Sequence, residues 1–103
     1  MNGHPLSQQA RIRLNRVFPE ALRAEAERLL VEQCGSHLPD TSKKLFSEVD
    51  RQRFAAMKLS GGTIQGLQAA IDLGNRDFRD LLMAAGFGYS VQSYMLWMPD
   101  EAG

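Results

Sequence analysis

The chain has 103 residues, with 12 Lys and Arg against 12 Asp and Glu and a hydrophobic fraction of 44%, which is typical of one globular domain. This balance lacks the basic excess of most nucleic-acid binders, and no apolar run approaches the roughly 20 residues that cross a bilayer. The single cysteine excludes an intramolecular disulfide and, with no apolar leader at the N-terminus, predicts a cytoplasmic protein.

The first predicted helix follows a loose N-terminal end over residues 1–6. Ser7 is a suitable N-cap for a helix that ends at Val17. Ile12 and Leu14 alternate with arginines, so the pattern leaves a strand open at this point.

The second predicted helix has the clearest pattern. Pro19 favours the first turn, and Glu20 complements the helix dipole there. Gly35 is expected to end it, which gives a helix over 19–34. Its apolar stripe comprises Phe18, Leu22, Ala26, Leu29 and Leu30.

A third helix is predicted from a capping box in which Asp50 follows Ser47 by three residues. It runs through Leu59, and an earlier turn starting at Thr41 stays open. The turn Ser60-Gly61-Gly62-Thr63 then ends the segment. Backbone amides at such a turn can bind an anion, but a plain interhelical turn is the favoured interpretation because no P-loop lysine follows.

Two further helices are predicted over 63–73 and 76–86, joined by Gly74-Asn75. Thr63 caps the first and Asn75 the second. This outline is compatible with a helix-turn-helix, but the second helix carries two aspartates against two arginines, and a packing hairpin is favoured.

The whole pattern predicts an all-α fold: a compact bundle of four or five short helices joined by glycine-containing turns, forming a single domain over 1–103 with loose ends at 1–6 and 99–103. The predicted core consists of Leu22, Ala26, Leu29, Leu30, Phe54, Met57, Ile64, Leu67, Ile71, Phe78, Leu81 and Leu82.

Metal binding and catalysis have weak candidates. Cys34 and His37 are closely spaced, but His4 is the only other histidine and no second cysteine completes a zinc site. Neither histidine belongs to a recognisable catalytic pattern. We therefore expect no metal, no cofactor and no catalytic residue, with an enzyme kept only as a disfavoured alternative.

The region 21–87 resembles a set of small all-helical bacterial proteins of unknown function. The matching pieces are ALRAEAERLL with VEQCG, and RFAAMKLSGGTIQGLQAAIDLGNRDFRDLLMAAGF. The resemblance covers about two-thirds of the chain and is a pattern of helices. It implies a stand-alone helical domain and carries over no activity and no functional residue.

The favoured function is a non-catalytic module that binds another protein or its own copy. The doubled Arg-Asp pairs of RDFRD are expected to be a solvated helix face or, less often, a contact surface. The apolar tail either completes the core or meets another chain. The predicted contact residues are Tyr89, Tyr94, Leu96, Trp97, Arg76 and Arg79. A nucleic-acid-associated protein is the first alternative, using Arg11, Arg13 and Arg16.

Overall fold

The structure, a computed structural model, describes residues 5–34, 48–88 and 91–99. Six α-helices contain most of these residues, and none of these residues lies in a strand. The predicted all-α bundle is confirmed, with a sixth helix in the tail. The helices are α1 (Gln8–Val17), α2 (Glu20–Gln33), α3 (Glu48–Ser60), α4 (Ile64–Arg76), α5 (Phe78–Ala84) and α6 (Val91–Leu96).

Two of the predicted N-caps are confirmed by their hydrogen bonds. The Ser7 hydroxyl accepts the backbone N–H of Ala10 at 3.1 Å, and the Thr63 hydroxyl accepts that of Gly66 at 3.0 Å. The first segment is therefore a helix, and the strand alternative for it is wrong. The expected caps at Ser47 and Gly35 and the start at Thr41 lie outside the described residues.

Helix α3 is the central element of the bundle. It packs against α1, α4, α5 and α6, whereas α2 packs against α1 and α4. Every residue from Gln52 to Met57 is buried, so α3 is covered on all sides. Among the described helices, none is both long enough and apolar enough to span a membrane.

Most of the predicted core is found where it was expected. Leu22 and Ile64 lie partly buried at its margin. Phe78 is 42% exposed, so its assignment to the core is wrong. The predicted core residues that are buried are Ala26, Leu29, Leu30, Phe54, Met57, Leu67, Ile71, Leu81 and Leu82.

The break between α4 and α5 falls later than the sequence predicts. Helix α4 continues through Gly74 and Asn75 and ends at Arg76. A Cβ atom on Gly74 would lie 2.6 Å from Cδ2 of buried Leu81, so this glycine permits a close approach of two helices and does not stop one. The Asn75 side chain donates to the carbonyl of Gln33 at 3.0 Å and does not act as the predicted cap.

Asp77 alone connects α4 to α5. Its N–H donates to the carbonyl of Leu73 at 2.9 Å, which ends α4, and its carboxylate accepts the N–H of Arg79 at 3.0 Å, which begins α5. Phe78 is thus the first residue of α5. Phe78 therefore lies at the exposed corner between the two helices, where the spacing that it shares with Leu81 does not bury it.

Which face of α5 is buried can be tested with Leu81→Ala, using Phe78→Ala on the same helix as the matched variant. Leu81 is fully buried, so its truncation should lower the free energy of unfolding by about 2–5 kcal/mol. Phe78→Ala should lower it by about 1 kcal/mol or less, because the ring is already half-solvated. Urea denaturation measures both values, and a reversed order would contradict the observed facing.

Candidate functional site

The C-terminal segment folds back onto the core. Tyr94 in α6 is 3% exposed, and its ring centroid lies 5.7 Å from that of Phe54. The half-buried indole of Trp97 lies 6.3 Å from Phe54 and 6.1 Å from Phe87, measured between ring centroids. These two predicted contact aromatics therefore pack against the protein's own interior.

Other predicted contact residues of the tail differ from these two in position. Leu96 is 80% exposed, and Met98, which was not a predicted contact residue, is 43% exposed. Tyr89 lies outside the described residues. The tail consequently presents aliphatic side chains to solvent while its described aromatic rings face inward.

The buried guanidinium of Arg13 anchors this tail. Arg13 is 2% exposed. Its Nε donates to the carbonyl of Trp97 at 2.9 Å, and its Nη2 donates to that of Met95 at 3.0 Å. Its Nη1 donates to both the carbonyl and the side-chain oxygen of Gln9, each at 3.0 Å. The guanidinium carbon also lies 4.3 Å from the ring centroid of Phe54, a cation–π contact.

The burial of Arg13 bears on the alternative in which the N-terminal arginines bind nucleic acid. Burial lowers the pKa of Arg13, and the charge of Asp50 opposes that shift. Arg11 forms a two-pronged ion pair with Glu27, at 2.8 and 3.1 Å. Of the three arginines considered for nucleic acid, only Arg16 forms no ion pair with a described carboxylate and is not fully buried.

A signal for Arg13 was present in the sequence. Ala10, Leu14 and Phe18 are buried at a spacing of four residues, and Arg13 is three residues after Ala10 on the same helical face. An arginine on an apolar stripe indicates hydrogen-bond acceptors within the same chain as much as a binding partner outside it. Its acceptors in the tail, the carbonyls of Met95 and Trp97, lie more than 80 residues away in the chain, which no local pattern reveals.

A second buried arginine joins the other elements around α3. Arg53 is 1% exposed, and it donates to the carbonyls of Leu30 at 3.3 Å and Pro5 at 3.1 Å. Asp50 on the same helix accepts the hydroxyl of Ser7 at 2.8 Å. These bonds tie α3 to the end of α2 and to the start of α1, including part of the segment that the sequence predicts to be loose.

Arg13→Met tests the anchoring role, with Arg11→Met on the same helix as the matched variant. Arg13→Met removes donors from partly buried carbonyls and empties a buried site, and we expect it to lower the free energy of unfolding by about 2–5 kcal/mol. Arg11→Met removes only a solvent-exposed ion pair and should change it by about 1 kcal/mol or less. Equal losses in thermal or urea unfolding would show that Arg13 does not anchor the tail.

Cys34 is a buried thiol at the end of α2. Burial raises the pKa of the Cys34 thiol to about 12, and the positive charge of Arg53 opposes this shift. A neutral buried thiol is a poor nucleophile and a poor metal ligand. Its proposed neighbour His37 lies outside the described residues, as does His4.

The raised pKa of Cys34 predicts a pH dependence of stability. The thiol ionises near pH 9.0 in the unfolded chain and near 12 in the folded one. Its contribution is therefore complete below pH 9 and is lost as the pH rises between these values, by about 1.4 kcal/mol per pH unit. Cys34→Ala should remove this slope when urea unfolding is compared at pH 8 and pH 10.5. Parallel pH profiles for the two proteins would contradict the buried, neutral thiol.

The most distinctive exposed feature is the corner between α4 and α5. We call it the corner surface, and it is formed by Arg76, Asp77, Phe78 and Arg79. A depression of about 600 Å³ runs along it. A smaller cleft of about 110 Å³ continues from Phe78 and Arg79 to Leu82, Arg51 and Gly88.

The charges of the corner surface are held loosely. The Arg79 Nε lies 3.9 Å from a carboxylate oxygen of Asp77, and these side chains are 70% and 43% exposed. Such a contact contributes little in water. Arg76 and Arg79, both predicted contact residues, are thus brought together with Phe78 and are accessible to a partner.

Within the described ranges, no group of three His, Cys, Asp or Glu side chains is placed to hold a metal ion. Comparisons of the chain with protein-family models, with curated proteins and with solved structures find no match. The function must therefore be inferred from the geometry of the chain's own surfaces.

Proposed function

We propose that the protein is a non-catalytic self-association module that binds a second copy of itself through the corner surface. The observation that carries this proposal is the position of Phe78, a large aromatic side chain that is 42% exposed and surrounded by arginines. Aromatic residues and arginine are the types most enriched at the energetic centres of protein interfaces.

The charge pattern favours a second copy as the partner. Arg76 and Arg79 alternate with Asp77 and Asp80, so this stretch carries no net charge. In a two-fold symmetric pair, each copy offers carboxylates to the arginines of the other. A strongly acidic or strongly basic partner would bring like charges together at half of these positions, which costs free energy.

The rigidity of the corner also supports binding there. The single connecting residue Asp77 is bonded to both helices, and Asn75 is bonded to the end of α2. Phe78 is consequently held at a fixed place on the surface. A preorganised contact residue loses little conformational entropy when a partner binds.

The proposal predicts a concentration-dependent dimer for the full chain, measured by light scattering behind size-exclusion chromatography. Phe78→Ser should weaken dimerisation at least about ten-fold, because it removes the central apolar contact. Leu96→Ser, which changes the more exposed tail residue, is the matched control and should leave dimerisation unchanged. Both variants should stay folded, because neither side chain is buried.

Two results would contradict this assignment. A wild-type chain that stays monomeric up to millimolar concentration has no self-association to explain. Dissociation by Leu96→Ser without an effect of Phe78→Ser would move the interface to the tail. Point variants are preferable to a chain that ends after Gly88, because removing the tail also removes buried Tyr94 and the anchor of Arg13.

A further inference from the structure

A separate cleft, away from the corner surface, lies where the ends of α1 and α3 meet the tail. It has a volume of about 290 Å³. We call it the cationic cleft, because Arg16 and Lys58 line it and no acidic side chain is among its described lining residues. Trp97 and the turn Gly61-Gly62 also line it, and the binding argument uses these residues.

The two cations of the cleft have no carboxylate partner among the described residues, unlike several other arginines. Arg11, Arg28 and Arg79 each lie within 4.0 Å of a carboxylate. Toward the described residues, Arg16 donates one long hydrogen bond, of 3.4 Å, to the carbonyl of Pro99. Lys58 lies 5.0 Å from the ring centroid of Phe87 and forms no ion pair with a described carboxylate. Two such positive charges beside one cleft attract an anion.

The glycine turn leaves this side of the cleft open. Gly61 and Gly62 have φ angles of +65° and +79°, which side chains rarely tolerate. Nothing lies within 4 Å of the position that a Gly61 Cβ would occupy, whereas a Gly62 Cβ would lie 3.0 Å from the carbonyl of Val17. A ligand can therefore reach the backbone of the turn without meeting a side chain.

The indole of Trp97 supplies an apolar wall beside the charges. Its ring centroid lies 6.3 Å from that of Phe54 and 6.1 Å from that of Phe87, and Trp97 is among the residues that line the cleft. A fixed aromatic face binds planar rings by stacking, at about 1–3 kcal/mol for a nucleic-acid base. A cation pair next to such a face has the chemistry that recognises a phosphate joined to a planar ring.

We infer that the cationic cleft binds a small phosphate-bearing molecule, with the phosphate between Arg16 and Lys58 and an attached planar group against Trp97. The cleft is close to the smallest sites that bind small molecules, which limits the ligand to about the size of a mononucleotide. The inference concerns residues outside the corner surface and does not depend on self-association.

Trp97 is the only tryptophan, so its fluorescence reports binding directly. The full chain is titrated with 5′-AMP, inorganic phosphate and adenosine at constant ionic strength. We expect saturation with 5′-AMP, weaker saturation with phosphate, and none with adenosine alone. Arg16→Gln and Lys58→Gln should each weaken 5′-AMP binding at least about ten-fold, because each removes a charged donor.

The matched control is Arg28→Gln, which removes an exposed arginine that is paired with Glu25 and Glu32. It should leave the titration unchanged, and circular dichroism should show that all three variants are folded. The inference is overturned if 5′-AMP and phosphate give no saturable change, or if all three variants bind equally. Saturation by a single-stranded oligonucleotide without saturation by 5′-AMP would overturn it as well.

Discussion

Docking of the C-terminal tail depends on hydrogen bonds to the buried positive charge of Arg13. The Arg13 guanidinium is removed from water, and an unsatisfied cation in that position would be strongly destabilising. Backbone carbonyls of α1 and of the tail accept its N–H groups, and the ring of Phe54 covers its face. The charge of Asp50 on α3 adds to this stabilisation. Docking of the tail and burial of the charge are therefore parts of the same event.

The two surfaces with a proposed role depend on this event to different degrees. Trp97 lines the cationic cleft only when the tail is docked, since its own carbonyl is bound by Arg13. The corner surface is built by α4 and α5, whose junction is fixed by Asp77 and by the contact of Gly74 with Leu81. Loss of tail docking would therefore open the cleft while the geometry of the corner stays locally defined.

Local sequence patterns were sufficient to predict the helices and most of the core. Ser7 and Thr63 are N-caps as predicted, because a cap is a short-range hydrogen bond that the sequence contains in full. The apolar stripe of α2 is buried for the same reason: a spacing of three and four residues defines one face. These features need no knowledge of distant parts of the chain.

The features that local patterns failed to predict depend on packing between helices, in several cases between residues far apart in the chain. Gly74 was interpreted as a helix stop, but its conformation is helical and its purpose is the approach of Leu81. That error moved the predicted start of α5. The spacing of Phe78 with Leu81 and Leu82 placed Phe78 in the core, although it lies at the exposed corner. Arg13 was assigned to an alternative nucleic-acid surface and Arg53 was given no role, because acceptors of their hydrogen bonds lie far along the chain. The candidate surfaces consist of such residues and could be only partly predicted.

The hydrogen bonds that hold the tail affect which substitutions the protein tolerates during evolution. Arg13 holds Met95 and Trp97 by their main-chain oxygens, which every amino acid possesses. Replacement of the outward-facing side chain of Leu96 therefore leaves that attachment intact. Side chains of this stretch can be substituted, and the stretch can gain or lose affinity for a partner, while the path of the backbone is unchanged. Related chains should differ here more freely than at position 13.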